Sequence, residues 1–148
     1  MRSFVLLSLA LVLAGCGSKP SALDDLLTRE VTLPGGHVIR AETAVDTRDI
    51  MRGLMFRPSM EPDHGMLFVH REPGHYGYWM YQTLIPLDMI WMDENRKIVE
   101  IVENAQPCKT AASKCTTYGG HETARFVLEL NAGLVHKYGL QVGQNIQW

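Results

Sequence analysis

The sequence predicts a mainly β domain, a sandwich or barrel, with two short helices. Three observations carry that expectation. Short runs rich in β-branched and aromatic residues recur at modest spacing, at 65–69, 76–81, 87–92, 97–102 and 125–130. Turn-forming residues separate them, most clearly Pro34-Gly35-Gly36 and Asp93-Glu94-Asn95-Arg96. Only two segments carry helix signals, and both are short.

In chain order, the runs at 30–33 and 37–45 flank Pro34-Gly35-Gly36 and predict a hairpin. Apolar and polar residues alternate only partly there, so one face is expected to be wet. Asp46, with Asp49 three residues on, predicts a capped helix to about Leu54, and Gly53 suggests a close backbone approach. Asn131 is the expected cap of a second helix, 132–138, with Gly139 ending it. A last strand is expected near Ile146.

The N-terminus predicts export. Met1-Arg2 is followed by residues 4–14, an apolar run of 11 broken only by Ser8. A bilayer span needs about 20 apolar residues, so this is a removable signal, not a membrane helix. Leu13-Ala14-Gly15-Cys16 resembles the lipobox of bacterial lipoproteins. That resemblance implies cleavage after residue 15 and a lipid on Cys16, against the blander alternative of a plain signal with a chance cysteine. Two or more acyl chains anchor a protein stably. Residues 16–27 then form a tether, and 28–148 a single domain. Gly17 is not the Asp that retains lipoproteins at the inner membrane. In a two-membrane host the expected location is therefore the inner face of the outer membrane.

Removing residues 1–15 leaves 13 basic and 16 acidic residues, a net charge of −3. No basic run remains, which argues against nucleic acid as a partner. Cys108 and Cys115, with six residues between them in a turn-rich segment, read as a disulfide in an oxidising compartment. The chain-entropy model gives so short a loop about 2–3 kcal/mol. A redox pair would need tighter spacing, and a zinc site more ligands than His121 supplies.

Five ordered blocks are similar to the "domain of unknown function 192" family. They are Arg52-Gly53-Leu54-Met55-Phe56-Arg57; Gly65-Met66-Leu67-Phe68; Trp79-Met80 with Thr83 and Ile85-Pro86-Leu87-Asp88; residues 103–108; and residues 127–133. The resemblance extends over about residues 28 to 146. The resemblance implies a compact jelly-roll-like β-sandwich with two short helices, often secreted or lipid-anchored. It implies no established chemistry. One departure stands out: the family commonly has Lys-Asn where this chain has Tyr81-Gln82.

The candidate pocket comprises Arg52, Arg57, Trp79, Gln82, Thr83, Asp88 and Glu103. Arginine forks match carboxylates, and Asp88 lies in an apolar run where a carboxylate needs a partner. The bland alternative is a structural ion pair tying helix to sheet. Tyr76, Tyr78, Trp79 and Tyr81 crowd one segment. On a strand 79 and 81 face one way and 78 and 80 the other, so one pair is expected to be core. Met51, Met55, Met66 and Met80 raise Cu(I) ligation, but without a metal-binding spacing, and Met also fills irregular cores. His64, His70 and His75 are read as loop histidines, because their spacing does not suit a cupin-type metal site. No cofactor or metal motif is read. Nucleophilic catalysis lacks a Gly-x-Ser-x-Gly motif and a free thiol. A glycosidase pair could come from Asp88, Glu103 and Glu129, with nothing in the spacing to select two.

The leading expectation is an envelope-anchored, non-catalytic binding or regulatory module in the periplasm. It would sit on the membrane through Cys16 and bind a periplasmic protein or a saccharide. The alternatives are a hydrolase using Asp88 and Glu103, and a Cu(I)-binding protein using Met ligands.

Overall fold

The structure is a computed structural model, and it describes residues 28–148. The expected signal, Cys16 and tether lie outside the described residues. As expected, the domain is mainly β with two short helices.

Strands β1 (Thr28–Thr32) and β2 (Val38–Ala44) form the hairpin, closed by Leu33 N–H donating to the His37 carbonyl at 2.8 Å. Helix α1 (Thr47–Arg52) and the loop after it lead to β3 (His64–Gly74). β3 pairs parallel to β2, the one parallel pairing in the six-stranded sheet. Parallel neighbours require a crossover of a dozen or more residues. Here residues 45–63 supply it and lie across one face of the sheet. The two-residue β4 (Tyr78–Trp79) is followed by β5 (Leu87–Met92) and β6 (Ile98–Ala105), joined by the Asp93–Arg96 turn, where Asp93 Oδ1 accepts from the Asn95 and Lys97 amides. The two-residue β7 (Thr117–Tyr118), β8 (Ala124–Asn131) and helix α2 (Leu134–Tyr138) complete the chain. The large sheet runs β1-β2-β3-β8-β5-β6, and β4-β7 form a separate ribbon. Near the C-terminus, Gln147 bridges to Thr32 and Asn145 to Lys97. That segment links the ends of the two edge strands at one corner.

Each face of the sheet carries its own core. One holds Ile39, Leu67, Ile90, Leu128 and Leu130 beneath α2 and Ile146. The other holds Phe68, Met80, Met89, Trp91 and Val127 beneath the crossover residue Leu54 and the β4-β7 ribbon. All six residues of β5 are buried, and apart from Asp88 they are apolar without alternation. Gly119, at φ +61°, lets the ribbon sit on Trp91: a Cβ there would meet the indole at 2.3 Å.

Several local expectations change. Asp46 makes no side-chain cap, and α1 ends at Arg52. The expected strand at 76–81 shrinks to β4, because its partner β7 is only two residues long. His64 and His70 are strand residues of β3, not loop residues, and His70 is buried. Asn131 does not cap α2. It ends β8 and donates to the Met60 and Glu61 carbonyls, pinning the crossover.

The cap of α2 comes instead from Asp88. Its Oδ2 accepts from the Val135 amide in the helix's first turn at 2.8 Å, and its Oδ1 accepts from the Asn104 amide at 2.8 Å. Asp88 is fully buried. It thus ties β5 to the end of β6 and the start of α2, satisfying two amides with charge-assisted bonds. Removing it leaves both donors without an acceptor. Asp88→Ala is expected to destabilise the domain by about 3–5 kcal/mol and Asp88→Asn by less, read as a shift in urea midpoint. A shift under 1 kcal/mol for Ala would refute this role.

Candidate ligand-binding site

The crossover, the segment 78–84 and the sheet line a half-open inner cavity of about 30 Å³. At its floor is Glu129, on the central strand β8 between Met66 of β3 and Met89 of β5. Its walls include Leu54, Phe68, Tyr78 and Thr83; Met51, Arg52 and Trp79 stand at the mouth. An outer groove of about 400 Å³ adjoins it, sharing Arg52, Gly53 and Met55 and adding Phe56 and Arg57.

The Arg52–Arg57 motif builds this corner. Gly53 ends α1 at φ +46°, ψ −133°, and a Cβ there would press on the Phe68 ring at 3.3 Å. The chain then places Phe56 at φ +64° and hands its amide to the carbonyl of Gln82, itself at φ +54°, at 2.9 Å. Left-handed backbone is costly for a bulky residue such as Phe. In this conformation Phe56 is 58% exposed. Met51, Trp79 and Leu84 are also exposed, so an apolar rim surrounds the mouth. The Cys108–Cys115 disulfide fixes the other side, because the Cys108 amide donates to the Met80 carbonyl and Cys108 bridges to Tyr81.

Glu129 is 4% exposed, and its carboxyl has no hydrogen-bond partner among the described residues. Burial raises its pKa to about 8, so it is mostly a neutral acid at pH 7. Beside it the Tyr78 hydroxyl meets His70 Nε2 at 3.0 Å. Tyr78 is pushed well above its usual pKa by burial, and the Glu129 charge adds to this. His70 stacks on Tyr76 and is lowered to about 4 by desolvation, so it is neutral. Arg57 forks onto both carboxylate oxygens of Glu42, with the Nη2–Oε2 bond at 2.6 Å. Arg52 makes no ion pair among the described residues.

Of the residues expected to form a pocket, the fold brings Arg52, Trp79 and Thr83 to the inner cavity and Arg57 to the groove. Gln82 lies beyond Thr83, facing a second hollow beside the disulfide. Asp88 and Glu103 do not join them. Asp88 is spent on backbone amides of β6 and α2, and Glu103 is exposed on β6. No Arg52–Asp88 ion pair exists among the described residues. The carboxylate that does reach the cavity is Glu129, which the sequence offered only as one of three. The signal was the same as for Asp88, an acid inside an apolar run, Val127-Leu128-Glu129-Leu130. Tyr78 and Met80 turn inward, while Trp79 and Tyr81 pack on each other outside, ring centroids 5.5 Å apart. Among the described residues, no group of three or more His, Cys, Asp or Glu could hold a metal ion.

The family model of DUF192, described as "Uncharacterized ACR", matches residues 30–148. The chain belongs to the DUF192 family. A UPF0127 protein from Thermococcus gammatolerans is 30% identical over 115 residues, covering 76% of this chain and 67% of that one. Two crystal structures share the DUF192 fold seen here. A Novosphingobium aromaticivorans protein of unknown function has TM-score 0.72 at 33% identity, covering 82% of this chain and 84% of that one. A Sinorhizobium meliloti 1021 protein, provisionally described as a transcription regulator, has TM-score 0.71 at 36% identity, covering 80% and 89%.

The buried acid has a thermodynamic signature. Between pH 4.5 and 8 the folded chain holds a proton on Glu129 that the unfolded chain has released, so stability falls as pH rises. Between pH 4 and 6.5 the unfolded chain protonates His70 while the folded chain does not, so stability falls as pH drops. The two oppose each other at acid pH, and above pH 6.5 Glu129 acts without His70. The protein is expected to lose about 1–2 kcal/mol through Glu129 between pH 6.5 and 8, a loss that Glu129→Gln removes in urea denaturation. The difference between the two curves also separates Glu129 from exposed His121, whose pKa is raised by Glu100. Parallel curves would refute the buried neutral acid.

Proposed function

We propose that this DUF192 domain is an envelope-anchored, non-catalytic binding module, and that its site is the cavity over Glu129 with the adjoining groove. The observation that carries the reading is the buried Glu129 carboxyl, without a hydrogen-bond partner among the described residues, in the lining of a hollow. Burying a polar group without a hydrogen bond costs free energy, and a ligand group that supplied the bond would recover it. The groove gives a small ligand room, the aromatic and methionine rim gives apolar contact, and Arg52 gives a cation that makes no ion pair among the described residues. The lipobox-like Leu13-Ala14-Gly15-Cys16 supports anchoring.

The other readings draw less support. A hydrolase using Asp88 and Glu103 lacks a shared groove for the two groups. For Cu(I), Met55 and Met66 do line the outer groove, but its charged side chains, Arg52, Arg57, Glu42 and Asp49, balance and offer no net negative charge to draw a cation. Nucleic acid is disfavoured by the net charge of −3.

Two measurements test the reading. Cys16→Ser is expected to move the protein from the membrane fraction to the soluble envelope fraction. A native chain that kept Met1 and stayed in the cell interior would refute anchoring. Thermal unfolding of the full chain is then screened against amino acids, short peptides and cell-wall sugar fragments. A ligand at a hundredfold excess over its Kd is expected to raise Tm by roughly 5–15 °C. Trp79→Ala or Arg52→Ala should remove most of that rise. No shift with any compound, or a shift unaffected by both variants, would refute the site.

A further inference from the structure

The chemistry at the floor of the cavity narrows the ligand class; this step rests on the binding reading above. The inner cavity of about 30 Å³ exceeds what one water-sized group needs, and an ammonium group is of that size. The groups around Glu129 are mostly neutral. β4 contributes Tyr78, and β3 contributes Phe68, with His70 behind Tyr78 and bonded to it. β5 contributes Met89, and Thr83 lines the wall. From α1 comes Arg52 at the mouth, with Asp49 facing the outer groove. Desolvation accounts for the Glu129 shift, with no counter-charge offsetting it. Among the described residues no cation neutralises this carboxyl, which leaves that role open to a ligand. Tyr78 in the wall and Trp79 at the mouth present aromatic surfaces that favour a cation. A purely cationic ligand would meet Arg52 on the way in, whereas one with its own carboxylate would find a fork for it there.

We propose that the inner cavity seats the ammonium group of a zwitterionic ligand, an amino acid or short peptide, with Glu129 as its partner and Arg52 holding the ligand's carboxylate. No covalent bond changes. The ligand arrives as an ammonium, Glu129 releases its proton to solvent, and one buried positive charge replaces one proton. Binding is therefore coupled to pH. With Glu129 near pKa 8 and an alkyl ammonium near 10.4, affinity rises about tenfold from pH 6 to 7 and levels off above 8.

Calorimetric titration of the full chain with 6-aminohexanoic acid, hexylamine and hexanoic acid tests this, at pH 6, 7 and 8 and in two buffers of different ionisation heat. 6-Aminohexanoic acid is expected to bind best, releasing close to one proton at pH 7. Hexanoic acid should bind at least tenfold more weakly at pH 8. Arg52→Ala should bring 6-aminohexanoic acid to the level of hexylamine. Glu129→Gln, nearly isosteric, should abolish both proton release and the pH slope. The inference is overturned if neither amine binds at millimolar concentration, if hexanoic acid binds better than 6-aminohexanoic acid, or if proton release persists in Glu129→Gln. A compound lacking an amine that raises Tm in a Trp79-dependent way would refute this inference and leave the binding module standing. The absence of any ligand would refute both.

Discussion

A single buried carboxylate organises the domain. Asp88 stands in the middle of a sheet whose β5 is buried on both sides, where an unbonded charge would be intolerable. It is made tolerable by two backbone amides, one from the end of β6 and one from the first turn of α2. In accepting them it decides where α2 docks. With α2 in place, Leu134 and Val135 cover one face of the sheet beside Ile146. The other face is left for the crossover between β2 and β3.

That crossover does not seal its face. Asn131 pins it at the Met60 and Glu61 carbonyls, and the disulfide holds the opposite wall through Cys108 and Met80. Between these fixed points the chain arches over Glu129 and leaves a hollow. The register places Asp88 opposite Leu130 and Met89 opposite Glu129. The two acids therefore sit one residue apart across neighbouring strands and point to opposite faces. One is fully bonded by the fold. The other is kept mostly neutral by burial and has no hydrogen-bond partner among the described residues. A structural carboxylate and a recognition carboxylate differ here only in which face they were given.

Two left-handed residues at the mouth fit the same division of labour. Phe56 and Gln82 hold each other through one backbone bond, and the exposed Phe56 ring contributes nothing to the core. By the sequence resemblance, Gln82 stands where the family commonly has Asn. Asn visits left-handed backbone more readily than most residues, so this position carries more strain than the family residue would. Tyr81, in place of Lys, packs on Trp79 and extends the aromatic rim.

The fold class, the first hairpin, the Asp93–Arg96 turn, the glycine end of α2 and the disulfide were legible in the sequence. Each rests on local chemistry: β-branched runs, turn residues, a left-handed Gly139, and two cysteines close along the chain. So was the need for Asp88 to find a partner, though not which one. Sequence could not show that β2 and β3 run parallel, that Asn131 holds the crossover while Asp88 caps α2, or that Glu129 and not Glu103 faces the hollow. Those follow from which strands become neighbours and in what register. A shift of one residue turns every side chain to the opposite face, and nothing within a strand's own residues records which strand will lie beside it.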